Sequence, residues 1–227
     1  MVTPEGRLYE TLPDLPVTDI TQLRSDTLWS YEAGTKLQLP NPGLLLSAAA
    51  FHIDWKNIQQ LGAEIELAGH LSRALQVRFG AGYEKTKITA PGALSIVGVD
   101  PGSRILGTPA WTATIGAVYT RTLANNLDGF ISADYSYTGD SVSLLNGGYG
   151  AEATRPAYSL ANLRFGIDRE QSEVSLNIHN LSNAKPNLGD IGYVGYAQYQ
   201  NYAAGTIIPQ VATLQPLTVI LQYKQSF

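Results

Sequence analysis

LQVRFGAGYE, running from Leu75 to Glu84, alternates an apolar position with a polar or glycyl one along its whole length. Successive side chains of an extended chain point to opposite faces. Leu75, Val77, Phe79, Ala81 and Tyr83 therefore share one face, and Gln76, Arg78, Gly80, Gly82 and Glu84 share the other. A helix would spread the same apolar residues around its circumference. The segment is a strand with one oily and one wet face.

The pattern repeats outward in both directions. AEIEL sets Ala63, Ile65 and Leu67 against Glu64 and Glu66, and WTATIGAVYT sets Trp111, Ala113, Ile115, Ala117 and Tyr119 against Thr112, Thr114, Gly116 and Thr120. ISADYSYTGD, ANLRFGID, EVSLNIHN and LTVILQYKQSF divide in the same way, and TLWSYEAGTKLQL and LLLSAAAFHIDW add two candidates near the start. Together they make about nine strands, with no helix-period segment among them.

Tight turns are expected at Asn41 to Gly43, Leu71 to Ala74, Asn125 and Asn126, and Glu170 to Ser172. Between them fall a longer link around Lys56 to Leu61 and long loops over Ile88 to Pro109, Ser141 to Pro156 and Leu181 to about Thr213. Short and long connections alternate. In an up-and-down meander this puts every turn at one end and every loop at the other, the asymmetry of transmembrane β-barrels.

Alternation alone also fits a soluble sheet with one buried face. Two features of the oily face favour lipid. Its middle is rich in alanine (Ala33, Ala49, Ala81, Ala113, Ala117, Ala133, Ala161), which fills a close-packed interior poorly. Its aromatics, Trp29, Tyr31, Trp55, Tyr83, Trp111, Tyr119, Tyr135, Tyr137, Tyr223 and Phe227, gather at strand ends, as interfacial girdles do. The other face is assigned Glu32, Lys36, His52, Asp54, Glu64, Glu66, Arg78, Glu84, Asp134, Arg164, Asp168 and Lys224, charges suited to a wet lumen.

Composition removes several classes of function. The 227 residues suffice for one sizeable all-β domain, and a formal net charge of −4 leaves no basic footprint for nucleic acid. Without cysteine there are no disulfides, thiolate zinc sites or cysteine nucleophiles. His52, His70 and His179 lack metal-ligand spacing, so neither a metal nor a cofactor is expected. The longest apolar run, LLLSAAAFHI, falls well short of the ~20 residues of a membrane-spanning helix. The opening MVTPEGRLYETLPDLP has no basic segment leading into an apolar core, and residues 1–25 read as an irregular segment.

DTLWSYEAGTK, AAAFHIDWKNIQ, GAEIEL, GTPAWTATIGAVY, ADYSYTGDS, YSLANLRFGI and SLNIHNLSN resemble, in order and spacing, the C-terminal barrel strands of TonB-dependent outer-membrane receptors. The resemblance covers residues 26–227. It implies an all-β fold of antiparallel up-and-down transmembrane β-barrel strands, a partial barrel without the globular plug that fills such receptors. An odd count of strands supports a fragment: in a meander of nine, the first and last strands run the same way and cannot pair antiparallel. Pro216, Leu217 and Thr218 stand where the family often has a Pro-Arg-Thr stretch.

The function so implied is TonB-energised uptake of a scarce nutrient, a ferric siderophore first, in the outer membrane of a Gram-negative bacterium. The implied partners are outer-membrane lipid and lipopolysaccharide, the missing plug and through it TonB, the siderophore, and the outer-membrane assembly machinery reading the terminal Phe227. Ligand contact is expected from the long loops. There Tyr193, Tyr196, Tyr199 and Tyr202 recur at three-residue intervals, suggesting irregular or 3₁₀-like backbone, and Arg104 and Arg155 can meet an anionic ligand. The same tyrosines can instead pack the loop on itself. No catalytic residue is expected. Two alternatives stand beside this reading: a small self-contained porin closed by a tenth strand over Arg7 to Ile20, which Pro13 and Pro16 oppose, and an outer-membrane hydrolase, for which serines and histidines are only scattered.

Overall fold

The computed structural model describes residues 26–91, 99–124, 126–143, 154–194 and 207–226, with backbone alone for 190–194 and 207–211. Residues 1–25, the proposed tenth strand among them, together with Tyr196, Tyr199, Tyr202 and Phe227, lie outside the described residues.

The described residues form strands and no helix. β1 (Leu28–Leu39), β2 (Leu44–Trp55), β3 (Ile58–His70), β4 (Leu75–Ile88), β5 (Trp111–Ala124) and β6 (Leu127–Thr138) are followed by a two-residue ribbon of β7 (Ser141–Val142) and β8 (Thr154–Arg155). β9 (Tyr158–Arg169) and β10 (Ser172–His179) come next, then the hairpin of β11 (Gly189–Val194) and β12 (Ile207–Ala212), and last β13 (Thr218–Gln225). The main sheet has nine strands in the order β1-β2-β3-β4-β5-β6-β9-β10-β13, each antiparallel to its neighbours. It is an up-and-down meander whose two edges, β1 and β13, do not meet.

Register settles the faces, because directly opposed residues of neighbouring strands share one. One row runs Leu37, Leu46, Leu67, Phe79, Ile115, Tyr135, Ala161, and another runs Tyr119, Ile131, Phe165, Leu176, Leu221. These rows are apolar across the sheet. The opposite face carries Glu32, Glu64, Arg78, Asp134, Arg164 and Lys224.

β2 departs from expectation. Leu44, Leu46, Ala48, Ala50, His52 and Asp54 pair with the apolar face of β1 and β3, so His52 and Asp54 lie on the oily side. Ala49 and Trp55 lie on the polar side, opposite Gly34 and Leu28. Both faces of LLLSAAAFHIDW are apolar, so its period does not choose between them, and pairing with β1 through the turn at 40–43 does.

The expected link from Lys56 to Leu61 is a two-residue turn instead. Ile58 pairs with Trp55 and Leu61 with His52. Asn57 takes the left-handed conformation such hairpins need (φ 70°), as Asn126 and Glu170 do in the two-residue connections at 125–126 and 170–171 (φ 56° and 52°). The alternation of short and long connections therefore breaks once. Two of the three long loops also fold ribbons of their own, β7 with β8 and β11 with β12.

Among the described residues no protein layer lies upon the apolar face. Among the described residues the buried apolar side chains are Leu44 and Val99, while Leu221 is 74% exposed, Tyr223 65% and Trp29 63%. A soluble sheet must bury its oily face against a second layer. This one presents it whole, as a lipid-facing sheet does.

Candidate functional site

The polar face of β1–β6 is a wall of small residues and carboxylates. Gly34, Ala49, Glu64 and Gly82 stand in one row and Lys36, Ser47, Glu66 and Gly80 in the next. Small neighbours leave a trough of about 550 Å³ beside Glu32, Lys36, Glu64 and Glu66. Three carboxylates against one ammonium make it acidic. Ser47 Oγ donates weakly to Glu66 at 3.5 Å.

Two ion pairs complete the wall. Arg78, Gly116 and Asp134 are aligned on β4, β5 and β6, and Arg78 Nη2 bonds Asp134 Oδ1 across the glycine. A Cβ on Gly116 would come within 2.5 Å of Arg78 Nε and 2.7 Å of Asp134 Oδ1, so the pair occupies the space a side chain would take. Arg164 bonds Glu173, which also accepts from Ser175 Oγ at 3.0 Å, and the guanidinium lies 4.9 Å over the Phe130 ring. With Arg78 and Arg164 so engaged, the exposed charges on the polar face of β1–β3 are the three carboxylates of the trough and Lys36.

At the loop end Arg104 donates from Nη1 to Asp140 Oδ2 at 2.7 Å and from Nη2 to the carbonyls of Asp140 and Thr108 at 2.8 and 3.2 Å. It joins the loop at 89–110 to the loop at 139–157. The hydrogen bond from Arg104, and next its positive charge, hold the Asp140 carboxyl below its ordinary range. Arg155 is on β8, opposite Ser141. Tyr193 is on β11, opposite Ile208, and so in a regular ribbon rather than irregular backbone. Arg104, Arg155 and Tyr193 thus belong to the elements at the loop end, with Arg104 turned to a partner in the neighbouring loop.

The aromatics divide by end. Trp29, Tyr31, Tyr83, Trp111, Tyr135 and Tyr137 lie on the apolar face toward the loop end, where the Tyr83 and Trp111 rings are 4.6 Å apart and tilted by 45°. Tyr119 and Tyr223 lie on that face toward the turns. Trp55 is at the loop end but on the polar face.

Two features were missed by sequence reasoning. On the apolar face His52 Nε2 is 3.1 Å from Asp54 Oδ2, and Gln59 Nε2 donates to Asp54 Oδ1 at 2.9 Å. At the root of the last loop, buried Asn180 donates from Nδ2 to the carbonyls of Ala184 and Gln215, each at 2.9 Å, and accepts from Ala184 N at 2.8 Å. The run Asn180-Leu-Ser-Asn183, with both asparagines at positive φ, was the available signal. Among the described residues no group of three or more His, Cys, Asp or Glu is placed to hold a metal ion.

The family model described as TonB dependent receptor-like, beta-barrel, matches residues 61–181, more than half of the chain. Among solved structures, the chain is similar to the ferric-catecholate import receptor Fiu of E. coli K12 in its closed form, with a TM-score of 0.66 and 23% identity, over 89% of this chain and 28% of that one. It is also similar to the ferric yersiniabactin uptake receptor FyuA of Yersinia pestis, with a TM-score of 0.69 and 15% identity, over 89% of this chain and 30% of that one. The siderophore receptor PiuA of Acinetobacter baumannii gives 0.65 and 16%, over 87% and 28%. The chain therefore spans under a third of the length of each of these proteins. No match is found among curated protein sequences.

Proposed function

The chain belongs to the TonB-dependent receptor-like β-barrel family, and on that premise we propose that residues 26–227 form the C-terminal wall of an outer-membrane receptor for a ferric siderophore. The observation that carries this is the division of one sheet into an uncovered oily face and an acidic polar face. The oily face meets outer-membrane lipid. The polar face lines a lumen.

Glu32, Glu64 and Glu66 suit the basic surface of a plug domain, through which TonB would act. The three long loops face outward, and Tyr193 on β11 and Arg155 on β8 are among the residues they carry toward a ligand and lipopolysaccharide. Tyr196, Tyr199 and Tyr202 extend the same loop in sequence. The role is transport, with no chemical conversion of the ligand.

The test is uptake of radiolabelled iron, presented as catecholate, hydroxamate or mixed-ligand siderophores, by cells with and without the intact gene. Loss of uptake for one chemical class, abolished equally by removing TonB, is expected. Undiminished uptake of every class would overturn the proposal.

A further inference from the structure

The arginines of the main sheet fall into two groups. Arg78 and Arg164, on the polar face, are ion-paired. Arg121 and Arg169, on the apolar face, have no ion-pair partner among the described residues, although both stand in exposed positions. Both lie toward the turn end: Arg121 shares a row with Gly129 and Ile167, and Arg169 lies one same-face position beyond that row.

Beside Arg121 the apolar face is indented. Gly129, directly opposite Arg121, supplies no side chain, and Tyr119, Leu123, Ile131, Phe165 and Ile167 stand around it. They enclose a dimple of about 390 Å³ that is almost wholly apolar. Leu123 leans over its floor: a Cβ on Gly129 would meet Leu123 Cδ1 at 2.8 Å. Arg169 is two strands from Arg121 and one same-face position farther toward the turns, roughly 12 Å between Cα positions by strand geometry. Two long arms can close that gap on a single tetrahedral anion.

An apolar recess within the band, with two unpaired guanidinium groups beside it, has the chemistry of one lipid molecule. The recess takes a hydrocarbon chain, and the guanidinium pair takes a phosphate through charge-assisted hydrogen bonds. Glu170, in the adjoining turn, is engaged by Asn126 Nδ2 at 2.5 Å. We propose that this dimple is a fixed seat for one anionic glycerophospholipid of the turn-side leaflet, its acyl chain over Gly129 and its phosphate bridging Arg121 and Arg169. The inference rests on the membrane reading above, and it adds that one lipid is held at a defined place while the rest of the band meets fluid lipid.

The test uses the whole protein encoded by the intact gene, reconstituted into phosphatidylethanolamine vesicles containing phosphatidylglycerol, extracted gently and weighed by native mass spectrometry. Protease protection reports insertion separately. One tightly retained phosphatidylglycerol is expected. Its affinity should fall about tenfold in Arg121→Gln/Arg169→Gln, which removes only exposed, unpaired charges. Gly129→Leu, which fills the recess, should lower retention of either lipid, whereas Lys224→Gln on the polar face should change nothing. Inserted protein whose lipid retention is the same in all variants would overturn the seat while leaving the membrane reading intact. Failure of the whole wild-type protein to insert would overturn both.

Discussion

Arg78 and Asp134 meet across Gly116, three residues in one row of three adjacent strands, with the middle one lacking a side chain. The pair depends on a vacancy. Because the guanidinium and carboxylate side chains are 66% and 36% exposed, their attraction is screened by water and salt. A double-mutant cycle of Arg78→Ala and Asp134→Ala should give a coupling of about 0.5 kcal/mol in dilute buffer that vanishes near 1 M salt. Gly116→Val should abolish the coupling by separating the partners, and denaturant unfolding of the reconstituted protein measures all three.

The two faces of β5 differ in what they tolerate. Ile115→Arg places a charge in the middle of the oily band and should cost about 2–4 kcal/mol of insertion free energy. Thr114→Arg, one residue away on the polar face, should insert almost as well as wild type. The inserted fraction in vesicles, read by protease protection, checks the pair; equal behaviour would contradict the assignment of faces.

The bridge from Arg104 to Asp140 should respond to acid. Binding Arg104 lowers the Asp140 carboxyl from its ordinary value of 3.8, so the folded state favours the ionised form. That contribution is present above the unfolded value and is lost as pH falls through the lower folded value. Hydrogen exchange at Gly107 and Gly139 should accelerate as pH is taken below about 3.8, after correction for intrinsic rates. Asp140→Asn should show the fast exchange at neutral pH and no such acid transition.

Asn180 closes the root of the last long loop. Its amide bonds the loop's first residues and Gln215 near its end, and its backbone N–H donates to Asn162 Oδ1 at 3.0 Å. Asn180→Ala leaves buried backbone groups without partners and puts alanine at φ 52°, so a loss of roughly 2–4 kcal/mol is expected in thermal or denaturant unfolding. Asn180→Asp keeps the acceptor but sets a buried carboxylate oxygen against both carbonyls, so it should lose at least as much.

Most of the sheet was legible because period two has one solution when apolar and polar residues alternate cleanly, as from Leu75 to Glu84. It failed on β2, where LLLSAAAFHIDW is apolar on both sides and only pairing with Glu32 and Ala33 of β1 tells Phe51 from Ala50. It failed again at Lys56–Asn57, where Gln59 and Gln60 interrupt the alternation although both are in the ladder. The candidate site was less legible. Arg78, Gly116 and Asp134 are separated by dozens of positions in sequence, and their alignment is a property of register, which local pattern does not encode. Arg104 likewise looked available because its partner Asp140 comes from another loop.

That last contact, with a backbone bond from Gly107 N to the Val142 carbonyl at 2.8 Å, ties residues 104–107 of one loop to residues 140–142 of the other. Displacing one segment then strains the other. Whatever stills the segment around Arg104 also stills the segment around Asp140, so a molecule touching either loop meets the rigidity of both, and the disorder lost on contact is shared between them.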